Sequence, residues 1–377
     1  MSDLIVFAED FGGLPSSTQH LIRRMAKRHR ILWVNSIGLR QPRWTLKDAK
    51  RLLSKLVCLT SKRHVVTQFE LPDSDNTPTN IHVTTLLTIP APSSRFARWL
   101  AKQMLSLQLK RKIGELDMHD PVLWSSLPTT ADLLDSFPLW RSVYYCGDDF
   151  SSLAGVDHQT VTTHESKLIQ QADCVLVASE RLMDKFPVEK THFVPHGVDL
   201  ELFSQPCSRA PDLPNDYQYV CGFYGSLSHW LDYQMIETVA RQLTQWAFVF
   251  IGPCEFDRNP LPKLSNVFYL GKKPHALLPS YSQHWSVSWL PFVNNQQIEF
   301  CNPLKLLEYL AAGRPVLTKR FPALEPFRSN VLIAENSQQM IEQLQNFATI
   351  STLEAPDLSQ QSWDARADYV EQLVERL

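Results

Sequence analysis

The chain has 377 residues, of which 44 % are hydrophobic and 20 % charged, with a formal net charge of -2. This length suits two domains of roughly 150 to 200 residues, and the composition is that of a folded globular protein. No apolar run approaches the roughly 20 residues that cross a bilayer, and the N-terminus lacks a secretory signal, so we expect a cytoplasmic protein. Seven cysteines without Cys-x-x-Cys spacing argue against a disulfide framework or a structural zinc site.

In the first half of the chain, short β-branched runs alternate with helical patterns, which indicates βαβ units and a mainly parallel sheet. Strands are predicted at Leu4 to Ala8, Ile31 to Asn35, Ile81 to Thr85, Val122 to Trp124, Ser142 to Cys146, Cys174 to Ala178 and His192 to Val194. Helices are predicted at Ser17 to Lys27, Leu46 to Val57, Arg95 to Glu115, Thr130 to Ser136, Gln159 to Gln171 and Ser179 to Phe186.

Residues 204–217 are rich in proline and polar side chains and predict a linker, after which a second series of elements begins. Its strands are predicted at Tyr219 to Tyr224, Ala247 to Ile251, Val267 to Tyr269, Val287 to Leu290, Val316 to Thr318 and Val331 to Ile333. Its helices are predicted at Tyr233 to Leu243, Lys273 to Tyr281, Pro303 to Ala312 and Ser337 to Phe347. The chain therefore predicts an α/β protein of two Rossmann-like, doubly wound domains, 1–203 and 218–358, facing each other across a cleft.

Positive charge is concentrated near the N-terminus, although the net charge is close to zero. Between Arg23 and Arg63 the only acid is Asp48, against thirteen basic residues, which are Arg23, Arg24, Lys27, Arg28, Arg30, Arg40, Arg43, Lys47, Lys50, Arg51, Lys55, Lys62 and Arg63. Within this segment Trp44 to Leu56 has the pattern either of a basic helix on an anionic membrane or of a solvated amphipathic helix. Nucleic acid is disfavoured, because the stretch lacks interleaved aromatic residues and a recognised motif.

The most informative stretch is Glu299 to Thr318, EFCNPLKLLEYLAAGRPVLT. Asn302 is a favoured N-cap and Pro303 suits the first helical position, whereas Gly313 supplies a stop. These signals predict a helix whose buried stripe consists of Leu304, Leu307, Leu310 and Ala311.

The start of this helix is a predicted anion site. Free backbone N–H groups and the positive end of the helix dipole lie beside the cationic Lys305. A positive charge in that place is unfavourable unless an anion is bound. Glu308 lies about 7.5 Å along the helix axis from Pro303, roughly the distance from a diphosphate to the hydroxyls of its ribose. The alternative is a capped core helix in which Lys305 and Glu308 form a weak surface pair.

The same stretch resembles the donor-binding signature of GT-B glycosyltransferases, in particular the broad family 4 group. In that family two glutamates separated by seven intervening residues bracket the motif, the second binding the nucleotide ribose and the first lying near the donor sugar. Glu308, followed by YLAAGRPV, matches the second, whereas Phe300 occupies the first position and Glu299 falls one residue early.

The resemblance extends over nearly the whole chain. Gly225 and Ser226 look like the family's glycine loop, His196 stands where the family usually has asparagine, and Gly12 with Gly13 resembles the acceptor loop. Residues 359–377 resemble the terminal helix that crosses back to the first domain. The implied donor site comprises Gly225, Ser226, Glu299, Asn302, Pro303, Leu304, Lys305 and Glu308, and the implied acceptor site comprises Gly12, Gly13 and His196.

Asp148 and Asp149 follow a predicted buried strand, where a cleft between the domains is expected. Adjacent side chains point to opposite sides, so only one of them is expected to face substrate, and the alternative is helix capping or turn formation. Glu165 on the next helix is interpreted as structural. The predicted catalytic residues are Asp148, Asp149 and Lys305.

These observations predict a glycosyltransferase that moves a sugar from a UDP- or GDP-sugar to a carbohydrate or lipid-linked acceptor, in cell-surface polysaccharide or glycolipid synthesis. Helix N–H groups and Lys305 can stabilise the departing phosphate without a divalent metal, so neither a metal nor a cofactor is predicted. The resemblance implies retention of anomeric configuration, whereas Asp149 acting as a general base would imply inversion.

Other classes of protein fit the sequence less well. A nicotinamide-dependent oxidoreductase would need Gly-x-Gly-x-x-Gly after a strand, which neither half supplies. A non-catalytic nucleotide-binding scaffold and a nucleotide-sugar epimerase of the same fold stay open, because the first family glutamate is missing. For the preferred function, we expect the basic N-terminal segment to hold the enzyme, as a peripheral protein, against the inner face of an anionic membrane or against a lipid-diphosphate acceptor. The alternative is that these charges only keep the protein soluble.

Overall fold

A computed structural model describes residues 3–13, 16–36, 79–89, 94–147, 158–302, 304–347 and 353–377. The chain divides into two compact units. The first comprises Met1–Leu176, Phe186–His192 and Glu371–Leu377, and the second comprises Val177–Lys185 and Phe193–Val370. Residues 204–217, predicted as a linker, lie within the second unit.

The first half of the chain forms a seven-stranded sheet in the order β3-β2-β1-β4-β5-β6-β7. Its strands are β1 Asp3–Phe7, β2 Arg30–Val34, β3 Ile81–Thr84, β4 Val122–Ser125, β5 Ser142–Cys146, β6 Cys174–Val177 and β7 Thr191–Phe193. β1 pairs in parallel with both β2 and β4, so the strand order reverses at β1, as in a Rossmann sheet. Every residue of β1, β4, β5 and β6 is buried, which explains why they appear in the sequence as continuous apolar runs.

The helices of this half within the described ranges are α1 Ser17–Met25, α2 Arg95–Glu115, α3 Ala131–Leu134, α4 His158–Gln171 and α5 Glu180–Met183. Short 3-10 turns are present at Pro128–Thr130 and Val188–Lys190. The hydroxyl of Ser16 accepts a hydrogen bond from the Gln19 N–H and caps α1, and Ser94 caps α2 in the same way. The predicted helix at Leu46 to Val57 lies outside the described residues.

The second unit contains a six-stranded sheet in the order β10-β9-β8-β11-β12-β13. Its strands are β8 Tyr219–Tyr224, β9 Trp246–Ile251, β10 Val267–Tyr269, β11 Val287–Leu290, β12 Val316–Thr318 and β13 Leu332–Ile333. β8 pairs in parallel with β9 on one side and β11 on the other, so this sheet has the same doubly wound topology as the first. The predicted pair of Rossmann-like domains is confirmed.

The remaining helices are α6 Leu200–Ser204, α7 Tyr233–Gln242, α8 Pro279–Ser282, α9 Gln296–Phe300, α10 Leu304–Ala311, α11 Ser337–Gln345 and α12 Trp363–Glu375. Further 3-10 segments are His275–Leu277, Pro322–Asn330 and Ser359–Gln361. The single helix predicted at Lys273 to Tyr281 is wrong, because a 3-10 turn precedes α8. Pro279 has no N–H to donate, which interrupts a continuous helix there.

Aromatic side chains fill the core of the second unit beneath the end of β8. The ring of Tyr224 lies 6.0 Å from that of Trp285 and 4.7 Å from that of Tyr309. A Cβ added to Gly222 would lie 1.7 Å from a Trp285 ring carbon, so glycine is required there for packing. Gly222, three residues before Gly225, therefore has a structural reason that involves no ligand.

Among the described residues no helix is both long and apolar enough to span a membrane. The six cysteines in these ranges are all free thiols. Burial raises the pKa of Cys174 to about 12 and that of Cys221 well above its ordinary value, so both thiols are protonated at neutral pH.

Candidate functional site

The loops after β8 and β11 leave the second sheet at its switch point, because β8 continues toward β9 and β11 toward β12. In open α/β sheets, ligands bind outside the carboxyl ends of the strands at such a point. Gly225 and Ser226 follow β8 directly, and the segment after β11 leads through α9 to α10. The sheet topology thus brings the two main parts of the predicted donor site to one edge.

The side chain of Lys305, in the first turn of α10, lies directly against Gly225. A Cβ added to Gly225 would be 2.3 Å from Lys305 Cε and 3.2 Å from Lys305 Nζ. Gly225 also has a φ of 144°, in a region that side-chain-bearing residues rarely adopt. The glycine therefore allows the ammonium group to reach the end of β8.

The ammonium of Lys305 forms no ion pair with any described residue. It lies over the ring of Trp230, whose centroid is 5.9 Å from Nζ. Lys319, which follows β12, provides a contrast, because its Nζ donates to Asp232 Oδ2 at 2.7 Å. Of these two lysines, Lys305 is the one whose charge is left to bind an anion.

The backbone beside Lys305 offers a donor as well. The Gly225 N–H donates to the Ile251 carbonyl at 2.8 Å and the Leu227 N–H to the Pro253 carbonyl at 2.8 Å. Between them, the Ser226 N–H has no backbone acceptor among the described residues. An N–H group and an ammonium at the end of a parallel strand are suited to phosphate oxygens.

Glu308, the predicted ribose ligand, is only 3 % exposed. Its Oε1 lies 2.7 Å from His275 Nε2, an ion pair when the imidazole is protonated. Burial lowers the pKa of His275, but the hydrogen bond with Glu308 and the charges of Glu308 and Asp199 outweigh burial and raise it overall. Glu308 is therefore positioned by a partner that the sequence analysis did not identify, and its predicted contact with ribose stays a prediction.

Two buried tyrosines hold the strand end against α10. The Tyr309 hydroxyl accepts a hydrogen bond from the Tyr224 N–H at 2.9 Å. Within the described part of the chain, the buried Tyr224 hydroxyl has no hydrogen-bond partner of good geometry, and burial together with the nearby Glu308 carboxylate raises the pKa of this phenol. The two tyrosines thus connect the end of β8, which Gly225 follows, to α10, which carries Glu308.

The loop that carries His196 and Asp199 lies close to Lys305 and His275. Desolvation, followed by the positive charge of Lys305, lowers the pKa of His196 to about 4. Asp199, three residues later, caps α6 by accepting from the Leu202 N–H at 3.1 Å, and its charge acts on His275. His196, predicted to contact the acceptor, thus lies near the predicted donor lysine in the second unit and is neutral at physiological pH.

The lowered pKa of His196 predicts a loss of stability in acid. Between its ordinary value of 6.5 and about 4, the unfolded chain binds a proton at this position that the folded chain does not. The free energy of unfolding should therefore fall as pH falls through this window, by about 2 to 3 kcal/mol more than in His196→Asn. Urea unfolding at pH 7 and pH 4 measures this difference, and equal pH dependence in both proteins would contradict the inferred environment.

Other predicted donor residues have more peripheral positions. Glu299 lies on α9, is exposed, and forms no ion pair with the described residues. Phe300, which replaces the first family glutamate, lies under Lys185 at 4.8 Å from Nζ to the ring centroid. Asn302 Nδ2 donates to the Ala178 carbonyl at 3.0 Å, and Leu304 is the first described residue of α10. Pro303 lies outside the described residues.

The predicted acceptor glycines form a tight loop after β1 in the first unit. Gly12 has a φ of 75° and donates its N–H to Gln19 Oε1 at 3.1 Å, and the Gly13 N–H donates to the Asp10 carbonyl at 3.1 Å. A Cβ added to Gly13 would lie 2.9 Å from that carbonyl oxygen. Both N–H groups are used within the fold, and no contact tests the acceptor role.

Asp148 and Asp149 lie outside the described residues, so their predicted roles stay predictions. Glu165, interpreted as structural, accepts a hydrogen bond from the Tyr144 hydroxyl at 2.7 Å, which anchors α4 to β5. In the described ranges no group of three or more His, Cys, Asp or Glu side chains is arranged to hold a metal ion.

Two residues of the site, His275 and Tyr309, were not identified from the sequence. Tyr309 lies inside the quoted motif, but its inward direction depends on the packing of α10 beneath β8. His275 comes from the β10–β11 connection, 33 residues before Glu308. No local spacing links a histidine in a 3-10 turn to a carboxylate on a later helix, so no sequence signal could have paired them.

Comparisons with known proteins agree with this description. No family model matches the chain. TuaH of Bacillus subtilis (strain 168), provisionally named a teichuronic acid biosynthesis glycosyltransferase, is 31 % identical over 223 residues. The match covers 53 % of this chain and 56 % of TuaH, so it spans little more than half of the relative.

Solved structures are similar over the full length. Anabaena HepE in complex with UDP has a TM-score of 0.64 at 15 % identity and covers 100 % of both chains. Sucrose-phosphate synthase from Thermosynechococcus elongatus has a TM-score of 0.67 at 14 % identity, covering 100 % of this chain and 99 % of that one. An E. coli trehalose-6-phosphate protein bound to UDP-2-fluoro glucose has a TM-score of 0.65 at 13 % identity over 99 % of each chain. The chain therefore has the GT-B fold, and the resemblance to glycosyltransferases predicted from its sequence is confirmed.

Proposed function

We propose that the chain is a glycosyltransferase that takes its sugar from a nucleotide diphosphate sugar bound in the second unit. The observation that carries the proposal is the Lys305 ammonium against Gly225, unpaired among the described residues, with Glu308 one helical turn further along α10. The UDP in HepE and the UDP-2-fluoro glucose in the E. coli structure support a uridine nucleotide, although a GDP-sugar fits the same contacts.

In this proposal the diphosphate lies on Lys305 and the Ser226 N–H, and the ribose hydroxyls donate to Glu308. The bond between the anomeric carbon and the β-phosphate oxygen breaks, and its electron pair stays on the diphosphate. Lys305 and the backbone donor stabilise that charge while the sugar becomes oxocarbenium-like, so the reaction needs no divalent metal. The acceptor oxygen bonds to the anomeric carbon and releases its proton.

Where that proton goes depends on the stereochemistry. Retention, which we favour, sends it to the departing phosphate oxygen on the same face of the sugar. Inversion requires a general base on the opposite face, and Asp149 is our candidate.

The Asp148→Asn and Asp149→Asn variants distinguish these pathways. If one carboxylate faces the acceptor, we expect its variant to lose roughly 10²-fold or more in turnover and the other to stay near wild type. Initial rates with acceptor measure this loss. Full activity in both variants would assign the two aspartates to capping or turn formation.

We propose a carbohydrate or lipid-linked acceptor and a role in cell-surface polysaccharide or glycolipid synthesis, supported by the name of TuaH. The basic segment between Arg23 and Arg63 would hold a cytoplasmic enzyme on the inner face of an anionic membrane. Such a location would present a membrane-bound acceptor to the first domain, where Gly12 and Gly13 lie.

A screen of UDP-, GDP- and ADP-sugars tests the proposed function. Slow hydrolysis of one donor without acceptor, strongly accelerated by a lipid-linked or glycan acceptor, is the expected result. Tight nucleotide binding without turnover would instead indicate a scaffold, and conversion of the donor to an epimer would indicate an epimerase. Absence of both binding and turnover for every donor would remove the proposal.

A further inference from the structure

Helix α2 of the first unit has an apolar outer face that is open to solvent. Phe96 is 70 % exposed, Trp99 54 % and Leu107 69 %, and all three lie on one stripe of the helix. The rings of Phe96 and Trp99 are stacked with centroids 6.0 Å apart. The opposite stripe, with Ala101, Leu105 and Leu109, is buried, so the helix is anchored in the fold without these three side chains.

Charged contacts fix the orientation of this helix. Arg98 forms a two-point ion pair with Asp132, with nitrogen–oxygen distances of 2.8 and 2.7 Å, and Lys102 Nζ lies 3.3 Å from Asp135 Oδ2. Both acids belong to α3 or to the residue that follows it. These ion pairs, together with the buried inner stripe, fix the rotation of the helix so that Phe96, Trp99 and Leu107 face solvent.

The helix is also strongly basic. It carries Arg95, Arg98, Lys102, Lys110, Arg111 and Lys112 against Glu115 alone. Arg95 and Lys110 form no ion pair with any described residue. A cavity of about 210 Å³ beside Trp99 is lined by Arg95, Arg98, Trp99, Lys102 and Asp132. A guanidinium such as that of Arg95 next to an exposed indole suits an anionic headgroup whose acyl chains lie below it.

A fourth apolar side chain, Leu139, extends this surface. Lys110 Nζ lies 5.7 Å from the Phe137 ring centroid, which places the turn Phe137–Trp140 beside α2. Leu139, at the tip of that turn, is 90 % exposed. Of the ten exposed large hydrophobic residues in the described ranges, six lie between Val83 and Leu139, which are Val83, Leu87, Phe96, Trp99, Leu107 and Leu139. Among them, Leu87 adjoins α2, because its N–H donates to Gln108 Oε1 at 3.0 Å.

We propose that the outer face of α2, with the Leu139 turn, is a docking surface for an anionic lipid bilayer. Phe96, Trp99, Leu107 and Leu139 enter the boundary between headgroups and acyl chains, and Arg95 and Lys110 bind lipid phosphates. The combination of exposed aromatic and leucine side chains with basic groups on one helix is typical of helices lying in a membrane interface. A second protein chain would need acidic groups opposite Arg95 and Lys110, whereas an anionic bilayer supplies them everywhere.

This surface is separate from the basic segment between Arg23 and Arg63 and does not depend on the proposed transferase activity. The test is sedimentation of the full chain with phosphatidylcholine vesicles, with and without phosphatidylglycerol. We expect binding to the anionic vesicles only. The Phe96→Ser/Trp99→Ser/Leu107→Ser variant should bind about tenfold or more weakly, as should Arg95→Glu/Lys110→Glu.

Matched controls distinguish lipid docking at this face from lipid binding elsewhere on the chain. Val188→Ser/Tyr369→Ser removes exposed apolar groups elsewhere and should bind like wild type, and inorganic phosphate at constant ionic strength should not displace the protein.

Equal binding by the triple variant and wild type would overturn the proposal, as would loss of binding only in Lys47→Glu/Lys50→Glu/Arg51→Glu. A wild-type dimer that the triple variant converts to a monomer without any effect on lipid binding would assign the face to a protein interface. Nucleotide affinity, measured in the same variants, should not change, so failure here leaves the donor site untouched.

Discussion

Replacing Glu308 by glutamine is expected to weaken binding of the nucleotide diphosphate by about 10- to 100-fold. The carboxylate is proposed to accept hydrogen bonds from the ribose, and a charged acceptor contributes about 1.5 to 3 kcal/mol. Glutamine keeps the shape and an acceptor oxygen for His275 Nε2, so the fold should be retained. Isothermal calorimetry with UDP and GDP measures the change.

The alanine variant separates binding from folding. Glu308→Ala also removes the partner of His275, and the loss of that buried hydrogen bond should lower the free energy of unfolding by about 1 to 3 kcal/mol. Glu342→Gln, on α11, is the matched control and should bind nucleotide like wild type. Unchanged affinity in a folded Glu308→Gln variant would show that the ribose does not contact this residue.

Replacing Lys305 by alanine should lower donor turnover on the order of 10²- to 10³-fold. Its ammonium is the proposed counter-charge for the departing diphosphate, and the loss of one preorganised donor to a developing anion has effects of this size. Stability should change little, because Lys305 forms no ion pair with the described residues. Steady-state hydrolysis of the preferred donor gives the ratio, with the exposed Lys263→Ala as control.

Gly225→Ala tests the same contact from the other side. Its Cβ would displace the Lys305 side chain and would also occupy an unfavourable backbone region. We expect Gly225→Ala alone to lose nucleotide binding. The loss of binding free energy in the Gly225→Ala/Lys305→Ala double variant should not exceed the sum of the losses in the two single variants. A fully active Lys305→Ala variant would mean that another group stabilises the diphosphate.

The strands could be predicted because most are short, buried apolar runs between turn residues. β8, β10, β11 and β12 have the predicted bounds, and the parallel pairing of the strands agrees with the predicted alternation of strands and helices. Short polar segments carry no such signal: α9, Gln296–Phe300, is one turn of helix in a polar stretch and was not predicted. The sequence therefore predicts Glu299 in the donor site, whereas the structure shows that it lies, exposed, on this short helix.

The candidate site was partly predictable for the same reason. Gly225, Lys305 and Glu308 belong to motifs whose spacing is local, and the structure brings Gly225 into contact with Lys305. The pairing of Glu308 with His275 and the effect of Lys305 on His196 depend on long-range packing, which no spacing encodes. Asp148, Asp149 and most of the basic N-terminal segment lie outside the described residues and stay predictions.

The most direct test of the donor site is a crystal structure of the chain soaked with UDP or GDP. We predict the diphosphate within hydrogen-bonding distance of Lys305 Nζ and the Ser226 N–H, with the ribose hydroxyls on Glu308 in the second unit. A nucleotide bound at the end of the first sheet, or one whose phosphates avoid Lys305, would contradict the proposed site.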